Sequence, residues 1–377
     1  MTTPSQARRR EPTITSEYAD ELREVVRGLA ADAAATEDAS GFALWERLAE
    51  LGMTRLDVPE SAGGSGGTFD DLLALTHALA RHTVTTPVAE SATSDWCLAS
   101  GAPLPTGATT LALLPADITE PAADGTLTAQ LPAVPWASGA HTLLLVPAAE
   151  IVGTSAAGPW TVDLTGPGVT RHPPRPALCG TPYEAIDLTA APVNTLPPGA
   201  PSPAHIRARL AVLRSAALLG AAEGAYELTA GHVTRRQQFG APLLKIPAVA
   251  AHLATMRVHL LQAEAALNHA RDIHRADASA QKDAHQLTAA AATARITAAS
   301  TATEVAHRAH QLHGALGITA EYPLHRYTRR LWAWRDTPVP QQAEAVALGR
   351  LAIAAGEPAL WDVLTAPAAT FPSEVRR

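Results

Sequence analysis

The sequence predicts a mainly α-helical protein with a small β domain between two helical regions. Aromatic residues make up only 4% of the chain, and alanine recurs in long runs in its second half. Small side chains of this kind suit closely packed helices better than sheets. Apolar residues recur at helical spacing in both outer regions, whereas a proline-rich stretch between them alternates short apolar segments with turn residues. With 377 residues, 47% of them hydrophobic, the chain can form two or three domains.

The first region, residues 1–105, is predicted to be an N-terminal helical domain. Leu44, Leu48 and Leu51 recur at helical spacing, and Gly52 follows where a glycine commonly ends a helix. The glycine-rich segment DVPESAGGSGG (57–67) comes next. It lacks the Gly-Lys-Ser/Thr of a nucleotide triphosphatase loop, so we interpret it as a tight structural loop.

Residues 106–197 are predicted to form the small β domain. Short apolar segments cover 109–114, 141–147 and 160–164. In the last of these, Trp160 and Val162 alternate with polar residues, which is the pattern of a half-buried strand.

Residues 198–365 are predicted to form a C-terminal helical bundle, and residues 366–377 a tail. Ser202 suits the N-cap of the first helix and Pro203 suits its first turn. The apolar residues of that helix step by three or four positions along one face: Ile206, Leu210, Leu213, Ala217 and Ala221. Two further helical patterns follow, and four packed helices would complete a bundle.

Composition excludes several classes of function. The net charge is −7 and the largest basic block is the triplet at residues 8–10, so nucleic acid is not an expected partner. Cys97 and Cys179 belong to no motif, which indicates a reducing compartment. No apolar run is long enough to cross a bilayer, and polar residues follow the arginine triplet where a signal peptide would be apolar. We therefore expect a cytoplasmic protein without a membrane partner.

Three segments resemble the acyl-CoA dehydrogenase family. They are LAELGMTRLDVPESAGGSGG (48–67), RRQQFGAPLLKIPAVAAHLATM (235–256) and QLHGALGITAEYPLHRYTRR (311–330). The resemblance extends over nearly the whole chain because the three occur in the family's order and spacing. It implies an N-terminal helical domain, a central β-barrel-like domain and a C-terminal four-helix bundle, with FAD as the cofactor and an acyl-CoA thioester as the substrate.

The same resemblance assigns residues to the cofactor site. Arg236, Phe239, Gln311 and Gly314 match the positions that hold the ADP half of a neighbouring subunit's FAD. This chemistry is sound, since a diphosphate needs a guanidinium and a close approach of backbone N–H groups. In VPWASGA, Trp136 and Ser138 match an element that flanks the flavin ring. A tryptophan on a strand is, however, more often part of a core.

The sequence departs from the family where the flavin ring and substrate would bind. The family's Thr-Glu-Pro-like segment normally ends in Gly-Ser-Asp, but the corresponding place here reads ALLPADITEPAADG (112–125), in which the serine is missing and the loop is shortened. The family reaction needs a carboxylate that removes an α-proton, and LWAWRDTPVPQQ (331–342) has no glutamate at one of its known places. The other known place, near Leu210, has no carboxylate either. Asp336 is the only acid in the first of these segments, and it could be a displaced base or simply a paired surface charge.

These losses predict a subunit of a heterotetramer that catalyses α,β-desaturation of an acyl-CoA. Such a subunit would contribute the ADP half of the FAD site to a homologous partner that carries the catalytic carboxylate, with an electron-transfer flavoprotein as the acceptor. One alternative is a homo-oligomeric dehydrogenase that uses Asp336. Another is a flavin monooxygenase on the same scaffold, which needs no α-carbon base.

A metal site is a further alternative, of a different class. His307, His310 and His313 are spaced three apart near the end of a predicted helix. Zinc sites need a further ligand, and the sequence indicates none. We therefore expect no metal.

Overall fold

The structure is a computed structural model of the full chain. It describes residues 18–35, 41–101, 104–114, 118, 120–147, 158–277, 284–337, 339 and 341–350, together with residues 14, 16, 353 and 356. The predicted tail at 366–377 and residues 115–117 and 119 of the altered 112–125 segment lie outside the described residues.

Four helices form the N-terminal part: α1 (Ala19–Ala35), α2 (Gly41–Glu50), α3 (Phe69–Arg81) and α4 (Val88–Leu98). The predicted end of α2 is confirmed, because Gly52 has φ +72° and its N–H donates a hydrogen bond to the Ala49 carbonyl. Leu51 lies beyond the end of this helix and is 54% exposed, whereas Leu44 and Leu48 are buried. Thr68 and Asp71 form a reciprocal capping box at the start of α3.

One mixed sheet and one antiparallel sheet form the middle part. The strands are β1 (Ala108–Leu114), β2 (Thr126–Pro135), β3 (Ala140–Pro147), β4 (Trp160–Asp163), β5 (Val169–Arg171), β6 (Arg175–Pro176), β7 (Pro182–Pro192) and β8 (Asn194–Thr195). One sheet has the order β1-β3-β4-β8 with β1 and β3 parallel, and the other has β2-β7-β5 with β6 also on β7. The three predicted strands are thus present. The described strands form two sheets with an apolar core between them.

Four long helices form the C-terminal bundle: α5 (Pro203–Arg235), α6 (Pro247–Ala276), α7 (Ala284–His313) and α8 (Leu324–Arg335). Ser202 caps α5 by accepting a hydrogen bond from the His205 N–H, and Pro203 lies in its first turn, as predicted. All five residues of the predicted apolar face of α5 are buried. A two-strand hairpin, β9 (Gln237–Gln238) and β10 (Ala241–Pro242), joins α5 to α6.

A charged residue joins the N-terminal helices to the bundle. The Arg209 guanidinium lies 4.5 Å from the ring centroids of both Phe69 and Trp96, and it pairs with Asp57. Arg209 is 1% exposed, so stacking and the ion pair together compensate for its lost hydration. This contact fixes the bundle against the helices that precede the β domain.

Candidate functional site

The turn after α5 presents an exposed arginine and an exposed aromatic ring. Arg236 caps the helix, with its N–H bonded to the His232 carbonyl at 2.8 Å. Phe239 has φ +54° and is 93% exposed. A strained, non-glycine residue whose aromatic ring lies in solvent is costly in an isolated chain. Phe239 therefore has the features of a residue that a ligand or another chain covers.

The end of α7 is equally open. Gln311 is exposed in the last turn of this helix, and Gly314 begins a short 3-10 segment with φ +59°. A Cβ placed on Gly314 would meet no atom within 4 Å. The glycine is thus needed for its backbone conformation, and it leaves its main chain accessible to a ligand.

Ring stacking brings these two distant segments together. The His232 ring on α5 lies 4.4 Å from the His313 ring on α7, with 24° between their planes. His313 in turn contacts Tyr322, whose hydroxyl lies 3.1 Å from Nε2 of the imidazole. Residues Arg236, Phe239, Gln311 and Gly314, which the sequence predicts as one cofactor site, therefore lie at neighbouring helix ends. We call these four residues the ADP surface.

The Trp136 indole lies in a different place from the ADP surface. Trp136 has φ +60° and is 3% exposed, and its ring meets Phe42 edge to face at a centroid distance of 5.3 Å. A Cβ on Gly41 would be 2.4 Å from the indole, so α2 occupies that side of it. Ser138 is exposed two residues later. This packing is that of a core tryptophan which joins the β domain to α2.

A pocket of about 240 Å³ lies between the β domain and α5. Leu210 and Thr337 both line it, so it occupies the place where the family reaction would occur by resemblance. Its walls are formed by these residues: Glu90, Leu111, Ala112, Leu113, Leu131, Pro132, Ala133, Pro135, Tyr183, Leu210, Arg214 and Thr337. Burial raises the pKa of the Tyr183 phenol to about 12, so this wall contributes a neutral hydroxyl.

A buried ion pair lies in this pocket. Arg214 Nη2 donates a hydrogen bond to Glu90 Oε1, and the two side chains are 9% and 3% exposed. The sequence analysis did not find this pair, because Glu90 and Arg214 lie on different helices in apolar surroundings. The Glu90 carboxylate is thus engaged by a guanidinium.

Asp336 does not reach the pocket wall. Its carboxylate pairs with the adjacent Arg335, 2.7 Å from Nη2, and nearly half of its side chain is exposed. Thr337, the next residue, is the one that lines the pocket. The placement of Asp336 is that of a paired surface charge.

Glu344 is an acid that the sequence analysis missed, two residues beyond the segment it considered. Burial raises the pKa of this carboxyl to about 7, against the opposing effect of the nearby Arg295. Its Oε2 atom is buried without a partner among the described residues. Arg295 also donates to the carbonyls of Trp334, Arg335 and Thr337 at 2.7–2.9 Å, and it thereby fixes the end of α8. A carboxyl that titrates near neutrality suits proton transfer.

Two of the three helical histidines have separate protein partners, and the third, His307, is exposed. His310 Nε2 lies 3.1 Å from the Thr328 hydroxyl, and His313 Nδ1 donates to the Ala309 carbonyl at 2.8 Å. Within the described ranges no three His, Cys, Asp or Glu side chains are grouped as a metal site would require. Nor does any helix in those ranges have the length and hydropathy needed to cross a membrane.

Comparison with protein families gives two matches along the chain. Residues 13–102 match the family model described as acyl-CoA dehydrogenase, N-terminal domain, and residues 207–335 match acyl-CoA dehydrogenase, C-terminal domain. Among curated proteins, 84% of this chain aligns with acyl-CoA dehydrogenase FadE34 of Mycobacterium tuberculosis at 30% identity. The aligned part spans only 45% of that relative's length. The chain is 27% identical to acyl-CoA dehydrogenase IpdE2 of the same organism, covering 88% of this chain and 92% of the relative.

Solved structures have the same fold. A variant of the Tcur3481-Tcur3483 steroid ACAD aligns with a TM-score of 0.77 and 25% identity, covering 90% of this chain and 98% of its own. The ChsE4-ChsE5 complex from Mycobacterium tuberculosis aligns with a TM-score of 0.77 and 22% identity, covering 92% of this chain and 100% of its own.

Proposed function

This chain belongs to the acyl-CoA dehydrogenase family, whose cofactor is FAD, and we propose that it supplies the ADP half of the FAD site to a homologous catalytic subunit. The observation that supports a site shared with another chain most directly is the separation of two sites along α5, and the buried Glu90–Arg214 pair favours a different, catalytic partner over a second copy. Leu210 lines the pocket and Arg236 caps the far end of the same helix, 26 residues later. At 1.5 Å per residue the two are about 39 Å apart. One flavin dinucleotide cannot touch both, so the ADP surface serves a ring site on another chain.

The ADP surface fits the dinucleotide. Arg236 offers a guanidinium that pairs with the diphosphate, and the open backbone at Gly314 allows close approach. The exposed Phe239 ring offers an apolar face to the cofactor or to the chain that carries it. Gln311 is exposed beside them and can hydrogen-bond either the ribose or the base.

The pocket between the β domain and α5 is small for a complete flavin and acyl thioester. Its volume of about 240 Å³ is below the roughly 300–1,000 Å³ of ordinary ligand sites. The Glu90–Arg214 pair places two buried charges in its wall. This imbalance between a complete ADP surface and a small, charged pocket supports a subunit that assists catalysis in a partner.

The reaction of the assembly would be α,β-desaturation of an acyl-CoA. Bound FAD supplies the hydride acceptor, and the partner subunit supplies the carboxylate that removes the α-proton. An electron-transfer flavoprotein is the proposed acceptor of the electrons. Since one similar structure is titled a steroid ACAD, we extend the proposal to a bulky, steroid-derived acyl group and to a heterotetramer of two kinds of homologous subunit.

A self-sufficient homo-oligomeric dehydrogenase is the second candidate, and Glu344 is the observation that favours it. This carboxyl has a pKa raised to about 7 by burial and lies two residues beyond the segment where the resemblance puts the base. Asp336 is a weaker choice because it is exposed and paired with Arg335.

The test is the visible absorbance of the purified chain, alone and after co-expression with a homologous subunit from the same genome. The proposal predicts a colourless chain that becomes yellow only in the complex. Arg236→Gln should release most of the flavin from the complex, whereas Arg175→Gln, which removes an exposed charge in the β domain, should not. A yellow homo-oligomer that acyl-CoA bleaches, and that Glu344→Gln inactivates, would favour the second candidate.

A further inference from the structure

His232 lies on the ADP surface but matches none of the residues that the sequence predicts for it. It lies one helical turn before Arg236 on α5, and its ring is partly exposed. No hydrogen bond of its ring nitrogens occurs within the part of the chain that the structure describes. One face of the ring is stacked on His313, which fixes its position while leaving both nitrogens available.

The neighbouring imidazole is held in its neutral form. His313 Nδ1–H donates to the Ala309 carbonyl, so Nε2 accepts the hydrogen bond of the Tyr322 hydroxyl. Burial lowers the pKa of His313, which agrees with this assignment. His313 therefore acts as a rigid, uncharged support for the His232 ring.

The charges around His232 are arranged for an anion. Arg235 and Arg236 are both exposed next to it on α5, while His313 and Tyr322 are the titratable groups that face it from α7 and the following segment. The α5 and α7 helices both end here, and helix C-termini carry partial negative charge. Backbone dipoles thus repel an anion at this surface, and only cationic side chains can attract one.

From this arrangement we propose that His232 is an additional ligand of the diphosphate on the ADP surface, and that it takes up a proton when the diphosphate binds. The inference rests on the proposed function. It concerns the ADP moiety that FAD and coenzyme A share, and FAD is the source that the ADP surface favours.

The direction of the coupling between diphosphate binding and His232 protonation follows from the pKa of His232 in the free protein. Burial lowers the pKa of His232, and the Arg236 and Arg235 charges lower it further. A bound diphosphate neutralises the two guanidiniums and pairs with the imidazolium, so it raises that pKa. Affinity should be highest below the pKa of free His232, and it should fall as the pH rises to the pKa of the bound form.

The test is isothermal titration of FAD into the flavin-free complex of this chain with its homologous subunit between pH 6 and pH 8, in buffers of different ionisation enthalpy. FAD is the main probe because its internal diphosphate does not itself titrate near neutrality. Since hydrogen bonds to charged groups are strong, affinity should be roughly tenfold tighter at pH 6 than at pH 8, with net proton uptake. His232→Gln and His232→Phe should both abolish the pH dependence.

Two control variants separate this role from a structural one. His232→Phe keeps an aromatic ring on His313, so a merely structural histidine would leave affinity and proton uptake unchanged in this variant, and that result would overturn the inference. His269→Gln, which removes an exposed histidine on α6, should behave as the wild type.

Arg236→Gln separates failure of the inference from failure of the proposed function. Loss of FAD binding in Arg236→Gln with unchanged behaviour of both His232 variants would overturn the inference alone. Absence of FAD binding to the wild-type complex at every pH would overturn both. Tighter binding of coenzyme A than of FAD, with the same dependence on His232, would support His232 as a diphosphate ligand but would assign the ADP surface to the substrate.

Discussion

The buried pair in the pocket predicts a large loss of stability when one partner loses its charge. Glu90→Gln removes the negative charge and leaves Arg214, 9% exposed, without a counter-ion. Arg214 Nε already lacks a partner among the described residues, so the guanidinium would retain few hydrogen bonds. Breaking a buried pair in this way costs about 3–5 kcal/mol, because the remaining charge stays out of water.

The loss is measured by urea unfolding at 25 °C, followed by circular dichroism. We expect Glu90→Gln and Arg214→Met each to lower the free energy of unfolding by about 3 kcal/mol or more. The double variant Glu90→Leu/Arg214→Met replaces both charges by apolar groups, and it should recover most of that loss in an apolar pocket. A double-mutant cycle then gives the coupling between the two side chains.

A matched pair on the surface serves as the control. Glu24 and Arg27 on α1 also form an ion pair, but their side chains are 66% and 65% exposed. Glu24→Gln should change stability by less than about 1 kcal/mol, since exposed pairs contribute little. The reasoning is refuted if Glu90→Gln is no more destabilising than Glu24→Gln, because Arg214 would then be hydrated through the pocket.

Three further predictions concern other parts of the chain. Burial raises the pKa of Glu344 to about 7 from 4.5, so the folded state favours the protonated form. The free energy of unfolding should therefore fall by about 1–3 kcal/mol as the pH rises from 4.5 to 7. Glu344→Gln should lack this loss in urea titrations at several pH values. Phe239→Ala should leave the unfolding free energy within about 0.5 kcal/mol but weaken association with the partner subunit in analytical ultracentrifugation, since the ring is 93% exposed. Gly220→Ala should destabilise the chain by more than about 1 kcal/mol, because the new Cβ would lie 2.2 Å from the His77 carbonyl oxygen. Gly28→Ala, with no atom within 4 Å of the new Cβ, should instead stabilise α1 by up to about 1 kcal/mol. Equal melting temperatures for the two variants would contradict the packing argument.

The architecture was predictable where local patterns decide it. The Ser202 cap, the Pro203 start and the apolar face of α5 depend on spacing alone, and each is present in the structure. The end of α2 was predictable because Gly52 adopts a positive φ. The pairing of the strands was not, since strand order depends on contacts between residues far apart in the sequence, and the described strands form two sheets.

Only the linear part of the candidate site can be read from the sequence, and its role stays a prediction. Arg236, Phe239, Gln311 and Gly314 belong to two continuous segments, and the structure brings the segments together through the His232–His313 stack. Glu90 and Arg214 could not be paired from the sequence, because an ion pair between residues on two helices has no local signature.

Glu344 was missed for another reason, since the segment searched for a base ended at Gln342. Asp336 is the only acid in that segment, which also contains the prolines at 338 and 340, so Asp336 was the candidate base.

The two candidate functions differ in what they require of α5. Both require a second chain, because about 39 Å of helix separates Arg236 from Leu210. A homo-oligomer also requires the pocket at Leu210 to admit a flavin ring and a thioester, and the Glu90–Arg214 pair would have to move or become part of the substrate site. Removing either charge is costly, so the pair is a stable obstacle and not a side chain that moves aside readily. The hetero-oligomer needs no such rearrangement, which is why the buried pair favours a partner that carries the catalytic site.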